Sequence, residues 1–333
     1  MSWTVAVGID THKDEHVAVV CDRLGVQLDA GTFEASDAGF VRLLAWAQRF
    51  GRPGFAVEGC GSYGAQLVSF LTAAGYAVWE CERPQRRERR HGKNDLIDAG
   101  LAAGRLVSGQ GLSRPRGGGR AREQLRLLLV ERRGLVRTRT ATINQLQAAA
   151  LSPALPTRLR ALSGEQLVRA SLRLRPVTIE QAVMRRLSRR IQRLEREAAE
   201  LERQLDDCVK AIAPQLLCEC GVGTISAAQL IVSSGDPDRM RSEAAFAALA
   251  GTSPVDASSG RQRRHRLNRG GDRQLNYALH TIALSRIRHH DQTRSYHQRL
   301  LERGKTNREA QRCVKRALAR HFYRQLQAPP LTT

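Results

Sequence analysis

Four carboxylates are placed where divalent-cation chemistry could be built. Asp95 and Asp98 lie three apart in Gly92-Lys93-Asn94-Asp95-Leu96-Ile97-Asp98-Ala99, at the start of a predicted helix. That spacing puts both on one helix face, about 5–6 Å apart at Cβ. Each suits a helix N-terminus, but two anions side by side repel. Asp10 and Glu58 each close a short apolar run upstream. Four carboxylates in one place are costly without cations. An all-oxygen set suits Mg²⁺ or Mn²⁺ rather than zinc. Two such ions about 3.5–4 Å apart can clamp the attacking and leaving oxygens of a phosphodiester.

The elements that must position these acids follow from patterning. Trp3 to Asp10 reads as a buried strand, His16 to Cys21 as a second and Val26 to Phe33 as a third. A helix capped by Asp37 runs to about Phe50, with Phe40, Val41, Leu44 and Ala47 on one face. Gly54 to Glu58 is a strand, Ser62 to Ala74 a helix, Tyr76 to Glu80 a strand, and the Asp95/Asp98 helix runs to about Val107. The order βββαβαβα is that of the ribonuclease H-like (RuvC-like) fold, an α/β class. Carboxyl ends of neighbouring strands in such sheets are where ligand sites form.

Further on, the chain reads as all-α. Arg120 to Ala150 is a long basic helix whose arginines (120, 122, 126, 132, 133, 137, 139) suit a phosphate backbone or simply a solvated face. A capping box at Thr178–Gln181 opens a helix with apolar or small residues at 187, 191, 194, 198, 201, 205, 208 and 212. This is a heptad seam, predicting a coiled coil that pairs with the 120–150 helix and forms a dimer contact. Short helices and loops are expected over 157–176. Gly221-Val222-Gly223-Thr224 resembles the turn of a helix-hairpin-helix DNA binder, where amides meet phosphate, or is a plain glycine turn. Ser258-Ser259-Gly260 sits in a loop followed by Arg261, Arg263, Arg264, His265, Arg266 and Arg269. A serine there could attack phosphorus if activated, with His265 the nearest base, or the loop merely contacts phosphate. Three regions result: 1–112 as the catalytic domain, 113–215 as basic helix and coiled coil, and 216–333 as a mainly helical C-terminal domain.

Composition narrows the partners. The 333 residues carry a formal charge of +22, and with five lysines the 54 basic residues include 49 arginines. Residues 1–80 hold 5 basic and 9 acidic side chains, so the excess belongs to the remainder. A polyanionic partner is expected. Only 15 aromatics argue against a base-stacking platform. Seven cysteines without zinc spacing indicate reduced thiols and a cytoplasmic setting; no signal peptide or membrane-spanning run is read.

Four blocks together resemble one family. Gly8-Ile9-Asp10-Thr11-His12-Lys13, Glu58-Gly59-Cys60-Gly61-Ser62-Tyr63, Lys93–Ala99, and the C-terminal set Phe246–Gly251, Pro254, Ser259-Gly260 and Arg269-Gly270-Gly271 are similar, in order, to the DEDD transposases of insertion sequences. These relatives of the Piv invertase are also called bridge-RNA-guided recombinases. The resemblance implies that Asp10, Glu58, Asp95 and Asp98 hold Mg²⁺ (or Mn²⁺, two ions), and that Ser259 is the nucleophile of a phosphoserine link to DNA. Ser258 is the adjacent alternative, and the position before Gly260 matches better. The resemblance also implies donor and target double-stranded DNA, a structured noncoding guide RNA, and a homo-oligomer: a dimer, or a tetramer on DNA whose working site combines two subunits. Guide pairing would then choose the sequence. The rival readings are a RuvC-like nuclease that only hydrolyses, an actin-like ATPase suggested by Val7–Thr11, and a noncatalytic packaging protein.

Overall fold

The structure, a computed structural model, describes residues 3–81, 94–117, 119–236, 239–256, 265–266, 268 and 270–327. It divides into two compact units, Met1–Gly117 and Gly118–Thr333.

The first unit is built on a six-stranded mixed sheet: β1 (Val5–Thr11), β2 (Glu15–Cys21), β3 (Gln27–Glu34), β4 (Pro53–Glu58), β5 (Val78–Cys81) and β6 (Leu112–Ser113), in the order β3-β2-β1-β4-β5-β6. β1 to β3 form an antiparallel meander, β4 and β5 run parallel to β1, and β6 returns antiparallel. This is the ribonuclease H-like arrangement expected, with β6 added. β1 is buried along its whole length, as a strand covered on both faces must be. Its alternation assigns the faces. Val5, Val7 and Ile9 pack with Phe40 and Leu43 of α1 (Asp37–Gln48) and with Leu67 and Leu71 of α2 (Ala65–Ala73). Ala6 on the other side meets Ala102 and Leu106 of α3 (Asp95–Ser108).

Local corrections have physical causes. The cap of α1 is Ser36, whose hydroxyl accepts from the Gly39 amide at 3.2 Å; Asp37 is already in the first turn. Leu43 rather than Val41 faces the core, and Val41 is exposed. α2 starts at Ala65, not Ser62, because Gly59 at φ 78° turns the chain and residues 59–64 close on themselves. β5 starts at Val78, after Gly75 at φ 80° ends the preceding helix.

The second unit is helical. α4 (Gly119–Ala149) and α6 (Ile179–Ile212) pack as a long hairpin, with α5 (Gly164–Leu172) at its turn. The predicted seam is the buried stripe of α6, through Ile191, Leu194, Leu201 and Leu205, extended by Met184, Ser188 and Val209. Thr178 caps α6, but Gln181 reaches back to the amide of Val177, one residue earlier than a capping box requires. Four shorter helices follow: α7 (Thr224–Ser234), α8 (Glu243–Leu249), α9 (Arg273–His289) and α10 (Asp291–Glu302). The last helix is α11 (Asn307–Gln327), and β7 (Val255–Asp256) pairs with β8 (His265–Arg266). Leu125, Leu129, Leu205 and Val209 share one core with Phe246, Leu279 and Phe322, so the hairpin ends inside the C-terminal body.

No helix among the described residues is long and apolar enough to cross a membrane. All seven cysteines are free thiols.

Candidate metal centre

Period-2 alternation puts Asp10 and Glu58 on the α3 face of the sheet. β1 and β4 run parallel with Ile9 opposite Val57, so the two acids follow side by side at the carboxyl ends of their strands. The Thr11 hydroxyl donates to the Glu58 carbonyl at 2.8 Å and ties those ends together. Gly59 must stay bare there, since a Cβ would lie 2.7 Å from the Thr11 hydroxyl.

α3 brings the other two acids. Asn94 caps it by accepting from the Leu96 amide at 3.1 Å, and Asp95 and Asp98 occupy its first turn. The helix sits on Gly8, where an added Cβ would be 2.0 Å from the Ala99 carbonyl oxygen and 2.2 Å from the Ala103 nitrogen. Ala99, Ala102 and Ala103 permit that approach. Asp10, Glu58 and Asp98 are only 7%, 8% and 3% exposed, while Asp95 stands at the rim.

The donor atoms of Asp10, His12 and Asp95 all lie within 4.8 Å of one another; Glu58 and Asp98 do not join this set at that distance. His12 Nε2 is 3.4 Å from Asp10 Oδ2 and 3.4 Å from Asp95 Oδ2. Burial pushes the Asp10 carboxyl above its ordinary value. Nearby His12 opposes that shift, and the negative charges of Asp95 and Asp98 add to it. The folded chain thus concentrates carboxylates, and hard oxygen donors beside one imidazole fit a divalent cation.

Among the residues that sequence reasoning offered for nucleic acid, Gly223 caps α7 and the Thr224 hydroxyl donates to Asp206 at 2.8 Å. Asp206 also pairs with Lys210 at 2.6 Å, so a carboxylate stands at the start of α7. Several α4 arginines are engaged within the chain. Arg132 pairs with Glu202 at 3.0 Å, Arg139 with Glu195 at 2.6 Å and Arg126 with Glu123 at 2.6 Å. Arg122 donates to the Val232 carbonyl and Arg133 to that of Leu129.

Ser258, Ser259, Arg261, Arg263, Arg264 and Arg269 lie outside the described residues. Arg266 is placed by its backbone in β8, opposite Val255. The feet of this segment are firmly held. A Cβ on Gly271 would be 2.3 Å from the Gly251 nitrogen, and the Asp272 amide donates to the Leu249 carbonyl at 2.6 Å. Asn276 donates to the Ala250 carbonyl at 2.7 Å and accepts from the buried Lys315 ammonium at 2.9 Å.

Sequence reasoning gave no role to His12, Asn276 or Lys315. One cue existed for His12: two residues beyond Asp10, it shares that residue's side of an extended chain.

Two family models match the chain. Residues 7–153, which hold all four acids, match a family model described as a transposase, of the IS110 DEDD type. Residues 215–298, which hold both serines, match one described as "Transposase IS116/IS110/IS902 family". A Streptomyces coelicolor relative, "Insertion element IS110 uncharacterized 43.6 kDa protein", is 34% identical over 113 residues. That alignment covers 33% of this chain and 28% of the relative, so the chain is matched to under a third of the relative's length.

Proposed function

Because the chain belongs to the IS110-type DEDD transposases, we propose that it cleaves and rejoins DNA strands as the recombinase of an insertion sequence. The observation that carries this is the gathering of Asp10, Asp95 and the buried Asp98 on the sheet face that also bears Glu58. In this reading Asp10, Glu58, Asp95 and Asp98 hold Mg²⁺ or Mn²⁺. When bound, the ions polarise the phosphodiester and offset charge on the attacking and leaving oxygens.

The protein's own groups divide the remaining work. Asp10 and Glu58 are fixed by the sheet, and Asp95 and Asp98 by a helix that rests on it. Ser259 supplies the nucleophile: its Oγ–P bond forms as the bond from phosphorus to the leaving DNA oxygen breaks. The hydroxyl proton passes to a base, with His265 the nearest candidate, and the leaving oxygen takes up a proton. Attack by a DNA hydroxyl on the phosphoserine reverses these steps. One phosphoester bond is exchanged for another each time, so no ATP is needed. Arg261, Arg263, Arg264, Arg266 and Arg269 hold backbone phosphates, whereas the start of α7 at Gly223 and Thr224, which already faces the Asp206 carboxylate, does not. A structured guide RNA pairs with donor and target, and the protein acts as a homo-oligomer.

The test mixes full-length protein, Mg²⁺ or Mn²⁺, candidate RNA and DNA, and looks for a protein–DNA adduct. Wild type forms it, and Ser259→Ala and Asp10→Asn do not. An adduct that survives Ser259→Ala and disappears with Ser258→Ala moves the nucleophile by one residue. Metal-dependent free ends with no adduct in any chain would replace recombination by hydrolysis.

A further inference from the structure

We infer that His12 is a protein ligand of the cation held by Asp10 and Asp95, so that the site takes one imidazole nitrogen and discriminates between divalent ions. The inference rests on the cation-holding reading of those two carboxylates.

Three observations carry it. First, Nε2 is equally far from the two carboxylate oxygens, 3.4 Å from each. Adjacent ligands of an octahedral ion with bonds near 2.1 Å are separated by about 3 Å, so the three atoms already surround a volume of ionic size. A histidine placed only to bind one carboxylate would approach it to the usual ~2.8 Å and stand away from the other. Second, Nε2 is buried yet has no hydrogen-bond partner among the described residues, although the ring as a whole is 41% exposed. Nε2 is turned inward, while other atoms of the side chain meet solvent. Buried polar atoms normally have hydrogen-bond partners, and this one instead faces two carboxylate oxygens at 3.4 Å, an arrangement that a cation among the three would complete. Third, the residue's backbone is anchored. The His12 amide donates to the Glu15 carbonyl at 3.1 Å, closing the β1–β2 turn directly after the Thr11–His16 pair. A lone pair on Nε2 requires the tautomer with the proton on Nδ1.

The donor set has a chemical consequence. Carboxylates suit Mg²⁺ and Mn²⁺ alike, whereas imidazole favours the transition metal and gives Mg²⁺ little. His12 therefore tilts the site toward Mn²⁺. Losing even an outer-shell partner of a metal ligand costs about 10–100-fold in affinity, so removing His12 should weaken Mn²⁺ by at least about tenfold and leave Mg²⁺ nearly unchanged.

The experiment titrates full-length protein with Mn²⁺ and reads bound ion by electron paramagnetic resonance, with electron spin-echo modulation to detect a coordinated ¹⁴N. Wild type, His12→Ala, His12→Gln and Asp10→Asn are compared, with circular dichroism as the check of folding. The expected result is a ¹⁴N modulation in wild type that both His12 variants lose, weaker Mn²⁺ binding in those variants, and no site in Asp10→Asn. Mn²⁺ bound through Asp10 without ¹⁴N modulation, or with modulation that persists in His12→Ala, overturns the role of His12 and leaves the carboxylate site standing. No Mn²⁺ bound by any folded chain, together with strand cleavage that survives chelation, overturns the metal reading itself.

Discussion

Gly8 and Ala99 touch backbone to backbone: a Cβ on Gly8 would lie 2.0 Å from the Ala99 carbonyl oxygen. That contact sets how deep α3 sits on the sheet, and hence where Asp95 and Asp98 stand relative to Asp10. Gly8→Ala should force the helix outward and cost about 1–3 kcal/mol or more, as overpacking does. Gly100 lies on the same helix with nothing within 4 Å of an added Cβ. Gly100→Ala should be neutral or stabilise by up to about 1 kcal/mol, the difference in helix propensity. Denaturant unfolding separates the two, and Mn²⁺ binding should fall only in Gly8→Ala.

His16 gives a pH prediction. Its ring is fully buried and stacked on Phe40, with centroids 5.8 Å apart. Burial holds its pKa below the ordinary 6.5, outweighing the Glu15 carbonyl that favours the charged ring. Below about 6.5 the unfolded chain binds a proton that the folded one refuses, so stability is present above that pH and is lost as pH falls toward the depressed folded value. Thermal melts from pH 8 to 5 should show a steeper acid-side loss in wild type than in His16→Phe. Parallel curves for the two would refute this.

Asn276 and Lys315 support the feet of the β7–β8 segment as a coupled pair. Asn276→Ala leaves the Ala250 carbonyl and a buried ammonium without their partner, and should cost about 1–3 kcal/mol. Lys315 is held below its ordinary pKa by burial, with Arg312 adding to it. Lys315→Met removes that charge, so the double variant Asn276→Ala/Lys315→Met should be less destabilised than the sum of the single changes. A double-mutant cycle measures the coupling, and strict additivity would show that the two act separately.

The α4–α6 hairpin should depend on its apolar stripe far more than on its ion pairs. Ile191 is wholly buried, and Ile191→Ala should cost about 2–5 kcal/mol. Arg139→Ala removes an exposed pair with Glu195 and should cost less than about 1 kcal/mol. Urea midpoints test the ranking.

Much of this fold was legible because its signals are local. Continuous apolar runs marked β1 and β4, and the 4,3 spacing marked α6. Asp10 and Glu58 could be paired in advance, since parallel strands of equal polarity end on the same edge. Caps were less legible: Ser36 and Asp37 are both good capping residues, and only the backbone chooses between them. His12 was hidden for a different reason. Half of its significance lies in Asp95, more than eighty positions away, and nothing near His12 in the chain announces that neighbour. The α4 arginines were ambiguous for the same reason, because their glutamate partners lie on another helix.

The dependence of the acidic cluster on β1, β4 and α3 together has a consequence for a chain still being made. Asp10 is synthesised before its partners: β2 can pair with it first, β4 and Glu58 come only with residues 53–58, and the opposing carboxylates of α3 come only after Asp95 and Asp98 have been made. A nascent or prematurely terminated product ending before Asp95 carries Asp10, His12 and Glu58 but lacks the helix that finishes the cluster. On the proposed reading, capture of a cation by this set waits until α3 has been synthesised and has closed on the sheet.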